Sequence, residues 1–263
     1  MATILDELAA AARARVAARR AKRPEEELAA AAHTLPATGA FPFEAALSGP
    51  GVSFICECKK ASPSKGLIAP DFPYVDIARA YEDAGAAAVS VLTEPTRFLG
   101  SDDYLRDIAA AVDIPCLRKD FTVDAYMIYE AKLLGASAVL LIASLLSADE
   151  VACGIELCDE LGMSALVEAH DEAEVRTALA AGARVVGVNN RNLKDFTVDV
   201  GTAERLRALV PADVLFVAES GMRTAADVAR MREAGVDAVL VGEALMRAAD
   251  KRAALDELRG EAL

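Results

Sequence analysis

The chain lacks an apolar run long enough to cross a bilayer. Its longest such stretch, Leu133 to Leu146, is broken by Gly135, Ser137 and Ser144, and falls short of the roughly 20 residues that a spanning helix needs. No Cys-x-x-Cys pair occurs among the five cysteines, Cys56, Cys58, Cys116, Cys153 and Cys158. Their odd number, in segments that read as strand or helix, points to reduced, buried thiols and not to a disulfide framework. The two histidines, His33 and His170, lie far apart without ligand-spaced partners, so no metal site is expected. No export signal is expected either, because Asp6 and Glu7 interrupt the first apolar positions before any uninterrupted hydrophobic core can form. Positive charge is in deficit: the formal net charge is −13. A broad nucleic-acid surface is thereby excluded, since a polyanion would be repelled over most of the molecule. A small phosphate ester is not excluded, because a few local donors suffice for it. The expectation is a cytoplasmic protein with no membrane and no nucleic acid as partner.

What is present is alanine, helix and repetition. The 263 residues are 54% hydrophobic, and much of that is alanine. Residues 3–20 read as an Ala- and Arg-rich helix. The run Arg19-Arg20-Ala21-Lys22-Arg23 before Pro24 reads as a solvated helix end, with a new helix starting near Pro24. From about residue 50 one pattern recurs: a helix stops at glycine and a β-branched strand follows at once. It is seen at Gly85-Ala86-Ala87-Ala88-Val89, Gly135-Ala136-Ser137-Ala138-Val139, Gly182-Ala183-Arg184-Val185-Val186 and Gly235-Val236-Asp237-Ala238-Val239. Glycine ends a helix because it accepts the left-handed conformation. The following runs are apolar on both faces, as in a parallel sheet buried on both sides.

With the less regular members, strands are expected near 52–58, 87–93, 114–118, 137–142, 164–168, 184–189, 213–219 and 237–242. Helices are expected at 73–84, 124–134, 148–161, 171–181, 224–234 and 243–258. Eight βα units in succession favour a closed (β/α)8 TIM barrel, of the α/β class, over an open sheet. No Gly-rich dinucleotide fingerprint follows the first strand, where Lys59-Lys60-Ala61-Ser62-Pro63-Ser64 stands instead. The expected organisation is a helical extension over residues 1–48 and a catalytic barrel over 49–263.

In such a barrel the carboxyl ends of the strands carry the chemistry, and alternate residues face inward. Here each strand stays apolar until its last positions. The ends read Cys56-Glu57-Cys58-Lys59, Leu117-Arg118-Lys119-Asp120, Val167-Glu168, Val188-Asn189-Asn190-Arg191 and Ala218-Glu219-Ser220. One strand-end charge alone would usually be a solvated or locally paired group. Five strands ending this way would bring two lysines, three carboxylates and an asparagine to one mouth, where partial burial tunes proton affinity. Alternation turns Arg118 away from that mouth, toward the helical layer. Glu219-Ser220-Gly221 and Gly242-Glu243 place glycine where the last two strands turn into helices. Barrel enzymes commonly hold a phosphate there on backbone N–H groups.

The ordered segments Glu57-Cys58-Lys59-Lys60-Ala61-Ser62-Pro63-Ser64-Lys65-Gly66, Leu117-Arg118-Lys119-Asp120-Phe121, Leu166-Val167-Glu168-Ala169-His170, Gly187-Val188-Asn189-Asn190-Arg191-Asn192-Leu193 and Ala218-Glu219-Ser220-Gly221 closely resemble the indole-3-glycerol phosphate synthase family. The likeness runs across nearly the whole chain. It implies ring closure of 1-(2-carboxyphenylamino)-1-deoxyribulose 5-phosphate, with loss of carbon dioxide and water, in tryptophan biosynthesis.

By the same resemblance Lys119 is the general acid, Lys59 the anchor of the substrate carboxylate and phosphate, and Glu168 the general base, with Glu57 as a second acid–base or positioning group. Asn189 and Glu219 orient sugar hydroxyls. Ser62 lies near the substrate, Phe121 walls the aromatic pocket, and Arg191 braces the carboxylates. Ser220, Gly221 and Gly242 form the phosphate cradle. Glu243 stands where many relatives have serine, so it is expected to offer only its backbone N–H and to turn its carboxylate outward. His170 is expected to serve the loop or helix start, and the loop Lys60 to Pro70 to cover the mouth. The resemblance further implies a monomer with no metal and no organic cofactor. The rivals are another phosphate-handling barrel, such as phosphoribosylanthranilate isomerase or a tryptophan synthase α-type lyase, and a non-catalytic sugar-phosphate-binding barrel.

Overall fold

The computed structural model describes residues 3–37, 39–193 and 195–260. The outermost residues of the expected extension and barrel, 1–2 and 261–263, lie outside the described residues. Three helices come first: α1 (Ile4–Arg20), α2 (Glu25–His33) and α3 (Pro42–Leu47). The chain then alternates between strand and helix. The order is β1 (Ser53–Cys58), the short pair β2 (Ala61–Ser62) and β3 (Gly66–Leu67), α4 (Tyr74–Asp83), β4 (Ala88–Leu92), α5 (Asp102–Ala109), β5 (Cys116–Lys119) and α6 (Ala125–Leu133). It continues with β6 (Ala138–Ile142), α7 (Ala148–Glu160), β7 (Ser164–Ala169), α8 (Glu172–Ala180), β8 (Val185–Asn189), α9 (Gly201–Arg207), β9 (Leu215–Glu219), α10 (Ala225–Glu233), β10 (Ala238–Val241), α11 (Glu243–Arg247) and α12 (Lys251–Arg259).

Eight strands close into one parallel barrel, with β1 paired to both β4 and β10. The expected (β/α)8 architecture is the observed one. Each glycine of the recurring helix-to-strand pattern is left-handed, at φ +80, +87, +87 and +77 for Gly85, Gly135, Gly182 and Gly235. A side chain bearing a Cβ would be strained at those turns.

The barrel interior is packed, not hollow. Ile55, Ala88, Leu117, Ala138, Leu140, Leu166, Val185, Val217 and Ala238 form one buried cluster inside it. The alternate residues, Cys56, Cys58, Val89, Val139, Val167, Val186 and Val239 among them, belong to the larger cluster between strands and helices. Helix α3 closes the amino end of the barrel. Its Phe43 and Leu47 are fully buried in the interior cluster, and its Glu44 accepts from Ser164 Oγ at 2.9 Å and from Arg184 at 2.9 and 3.0 Å. Arg184 in turn grips Asp159 at 2.7 Å.

Helix α1 lies near the opposite end, stapled by arginines: Arg15 to Asp120 at 2.7 Å, Arg19 to Asp102 at 2.6 Å and Arg20 to Asp124 at 2.6 Å. The fully buried Arg118 takes the outward course expected of it. It bonds Asp102 at 2.8 Å, the Met127 carbonyl at 2.8 Å and Thr93 Oγ1 at 3.2 Å.

Two details depart from the expectation. The single helix anticipated over 243–258 is two helices, because Ala248 is extended (ψ 135) and Asp250 caps the second one by accepting from Ala253 N. Lys251 then donates to the carbonyls of Leu245, Met246 and Ala248, satisfying the end of the first. The cysteines are all unpaired, but Cys153 is exposed while the other four are buried. Burial pushes the Cys56 and Cys116 thiols up to about 12, so they remain protonated and unreactive. Among the described residues no helix is long and apolar enough to cross a membrane.

Candidate active site

In five of the strands an apolar residue or glycine on the inward face gives way to a polar or charged residue at the top layer. Ile55 is followed by Glu57, Leu117 by Lys119, Leu166 by Glu168, Gly187 by Asn189 and Val217 by Glu219. Strand register puts Asn189 beside Glu219 and Glu168 beside Ile142. Above this layer lies a cavity of about 390 Å³ lined by Glu57, Lys59, Ser62, Lys119, Phe121, Glu168, Asn189, Arg191, Glu219, Ser220, Gly221, Gly242 and Glu243. All the residues singled out in the sequence for catalysis, substrate contact and phosphate therefore border one space. The short pair β2–β3 supplies Ser62 from within the loop that follows the first strand.

Charge is concentrated there under heavy burial. Lys119 Nζ sits between two carboxylates, 3.0 Å from Glu168 Oε2 and 3.2 Å from Glu219 Oε2. Lys59 pairs with Glu57. Burial alone would discharge Lys119, but Glu168, Glu219 and Glu57 together overcome it and raise its proton affinity. Burial likewise works to raise Glu168, and is overcome by Lys119 and His170, which hold it well below the usual carboxylate range. Glu219 goes the other way. Burial, with Glu168 close by, pushes it up to about 8 in spite of Lys119, and its Oε1 is buried without a hydrogen-bond partner. Two adjacent carboxylates are thus pushed in opposite directions, an arrangement suited to acid–base work.

Glycine makes room for this cluster at two places. A Cβ on Gly187 would collide with Glu219 Oε1, and one on Gly242 would collide with Glu57 Oε1 and come within 2.9 Å of Lys59 Nζ. Gly242 therefore serves the buried ion pair as well as leaving the backbone open. After β9 the chain bends through two left-handed residues, Ser220 (φ 64) and Gly221 (φ 93). For serine that conformation costs about 1–2 kcal/mol, and it lines this turn along the cavity.

Arg191 departs from the sequence reading, Glu243 turns its carboxylate aside as expected, and His170 makes one contact more than expected. Arg191 forms no ion pair among the described residues; its guanidinium donates to the Phe196 carbonyl at 3.2 Å, and its backbone N–H donates to Asn189 Oδ1 at 3.0 Å. It braces the turn after β8 and not the carboxylates, because that turn folds back and offers it a closer acceptor. Glu243 turns to Arg247 at 3.3 Å and Lys65 at 3.5 Å. These cations outweigh the effect of its partial burial and keep its carboxylate low. His170 does serve the start of α8, but it also touches Glu168, with Nε2 3.3 Å from Glu168 Oε1.

The sequence also gave no notice of the roof. Ile4, Leu5 and Leu8 of α1 line the cavity, together with Phe98 and Arg223. Phe98 packs against Phe121 with ring centres 6.1 Å apart. Residues 3–20 read in the sequence only as an Ala- and Arg-rich helix, which names no surface for it to cover.

A family model described as indole-3-glycerol phosphate synthase matches residues 5–258. The chain belongs to the indole-3-glycerol phosphate synthase family. A relative of that name from Ruminiclostridium cellulolyticum is 54% identical over 259 residues, 98% of this chain and 100% of that one. Another, from Leuconostoc mesenteroides subsp. mesenteroides, is 49% identical over 260 residues, 98% of this chain and 99% of that one. Among solved structures, a 3-hexulose-6-phosphate synthase superimposes with a TM-score of 0.63 at 16% identity, covering 81% of this chain and 100% of that one. A mandelate oxidase gives a TM-score of 0.63 at 19% identity, covering 79% of this chain and 72% of that one. At such identities these two structures speak for the barrel fold only.

Proposed function

We propose that this member of the indole-3-glycerol phosphate synthase family closes the indole ring of 1-(2-carboxyphenylamino)-1-deoxyribulose 5-phosphate, using Lys119 as general acid and Glu168 as general base. The observation that carries the reading is the position of Lys119, a largely buried cation between two carboxylates of unlike proton affinity at the floor of a mainly apolar cavity.

The aromatic carbon bearing the substrate carboxylate attacks the sugar ketone, and the developing alkoxide takes a proton from Lys119. A fixed cation favours that step twice, by stabilising negative charge as it forms and by supplying the proton. Carbon dioxide then leaves, and loss of water completes the aromatic ring. Lys59 anchors the substrate carboxylate and phosphate and donates during dehydration, with Glu57 as its paired acid–base or positioning group. Glu168 removes the proton that dehydration releases. Asn189 and Glu219 orient the sugar hydroxyls, Ser62 contacts the substrate from the first loop, and Phe121 walls the aromatic ring beside Phe98.

The phosphate lies against the backbone of Ser220, Gly221, Gly242 and Glu243, with the Glu243 carboxylate drawn away by Lys65 and Arg247. Arg191 contributes by holding the β8 turn in shape at the cavity wall. Residues 1–48 form the helical extension, which roofs the site through α1, and 49–263 the catalytic barrel. The same reading has the chain acting as a cytoplasmic monomer on a small phosphorylated substrate, with no metal or organic cofactor.

Purified protein mixed with the carboxyphenylamino sugar phosphate should develop indole fluorescence. The chain contains no tryptophan, so the product appears over a low protein background. Tight binding of the substrate without turnover would favour a non-catalytic sugar-phosphate barrel and end the catalytic reading.

A further inference from the structure

We propose that His170, held between Glu174 and Glu168, is a positioning residue that makes Glu168, and not Glu219, the base of the site. The inference rests on the ring-closure reading above and says which of two neighbouring carboxylates acts as base.

His170 follows β7 directly, two positions after Glu168, so strand alternation carries both toward the same side. Its backbone N–H donates to Glu174 Oε2 at 2.8 Å, and Nδ1 lies 3.0 Å from the same oxygen. Glu174 is itself fixed in the first turn of α8, where its N–H donates to Asp171 Oδ1 at 3.0 Å. The ring is therefore clamped with its other nitrogen, Nε2, 3.3 Å from Glu168 Oε1.

A neutral imidazole offers one N–H and one lone pair. With a carboxylate oxygen against each nitrogen, the lone pair of either neutral tautomer would face a negative charge. The doubly protonated ring turns an N–H toward each carboxylate, hydrogen-bonding Glu174 through Nδ1 and meeting Glu168 through Nε2 in an ion-pair contact that is not aligned as a hydrogen bond. Burial opposes its charge, but Glu168 and Glu174 outweigh burial and raise His170 to about 10.

The consequence is an asymmetry between two buried carboxylates that share Lys119. Glu168 meets a cation at each oxygen, His170 at Oε1 and Lys119 at Oε2. Glu219 meets one cation, Lys119 at Oε2, and its Oε1 has no hydrogen-bond partner. One lysine cannot neutralise two adjacent carboxylates, so one of them retains a proton. The second cation decides which. The charged groups facing this unit are Glu174 from α8, Lys119 from β5, Glu219 from β9 and, acting at longer range on Lys119, Glu57 from β1.

His170→Gln keeps a polar side chain and removes the charge. Its kcat should fall by about 10- to 100-fold with KM changed by less than about 3-fold, and the acid limb of the kcat–pH profile should move up by about one unit. Glu174→Gln, which leaves the ring in place, should shift the limb the same way by a smaller amount. An independent reading comes from ¹⁵N spectra of the imidazoles. With only two histidines in the chain, the His170→Gln spectrum assigns the His170 signals by difference, and both its nitrogens should be protonated at pH 8. A neutral His170 at pH 7, or unchanged kcat and acid limb in His170→Gln, overturns the inference. A wild-type protein that forms no indole overturns the ring-closure reading instead, and does so whatever the imidazole spectrum shows.

Discussion

The two ends of the barrel are built on opposite principles. At the amino end, α3 plugs the interior with Phe43 and Leu47, and each charge there has its complement: Glu44 against Arg184, Arg184 against Asp159. At the carboxyl end, Glu57, Glu168 and Glu219 crowd one cavity with Lys59 and Lys119, Glu219 keeps an unpartnered oxygen, and Ser220 is held left-handed. The lower end lowers the energy of the fold, whereas the upper end holds charge and strain that packing alone would remove. Barrels separate these tasks because the strand ends share one core but face different solvent-exposed loops. Substitutions at the two ends should therefore fail in different ways.

The largest effect is expected at the upper end. Lys119→Ala should lower kcat by about a thousandfold or more, equivalent to about 4 kcal/mol of transition-state stabilisation. Substrate binding should change little. Near-normal turnover in steady-state assays would remove Lys119 as the acid. Next comes the plug. Phe43→Ala should cost about 3–5 kcal/mol of stability in denaturant titrations, while folded enzyme at low temperature keeps kcat within about 3-fold. A loss of turnover comparable to that of Lys119→Ala would show that the two ends are not separable.

The smallest effect has the opposite sign. Glu219 has a folded proton affinity of about 8 against an ordinary value of 4.5. A carboxyl raised in this way contributes full stability below pH 4.5 and loses it as pH climbs through 8. Glu219→Gln removes that loss. Its melting temperature should exceed that of the wild type, with a gap that widens from pH 5 to pH 8, while its activity declines. A gap that narrows over the same range would refute the placement of the proton on Glu219.

Much of the site was legible in the chain because strand periodicity is simple. Once the helix-to-strand repeat establishes eight parallel strands, a polar residue ending an apolar strand has one place to go. Glu57, Lys119, Glu168, Asn189 and Glu219 went there. The reading was weaker wherever a side chain had a choice of local partner. Arg191 could reach inward or back to its own turn, and the Phe196 carbonyl was nearer. His170 was legible as a helix-start residue, but its distance to Glu168 depends on how Glu174 clamps the ring. The break between α11 and α12 was missed because Asp250 lies in an alanine-rich run whose helical pattern it barely disturbs.

By itself the sequence determined the repeating unit, the parallel strands and the set of ionisable groups at their carboxyl ends, since all three follow from local periodicity and the alternation of side chains along a strand. Only the tertiary structure decided that α1 roofs the cavity with Ile4, Leu5 and Leu8, that Gly242 leaves space for the Glu57–Lys59 pair, and that two carboxylates beside one lysine differ in proton affinity. Those outcomes depend on distances between residues far apart in the chain. Coulombic attraction and burial act through space, and no spacing along the backbone encodes them.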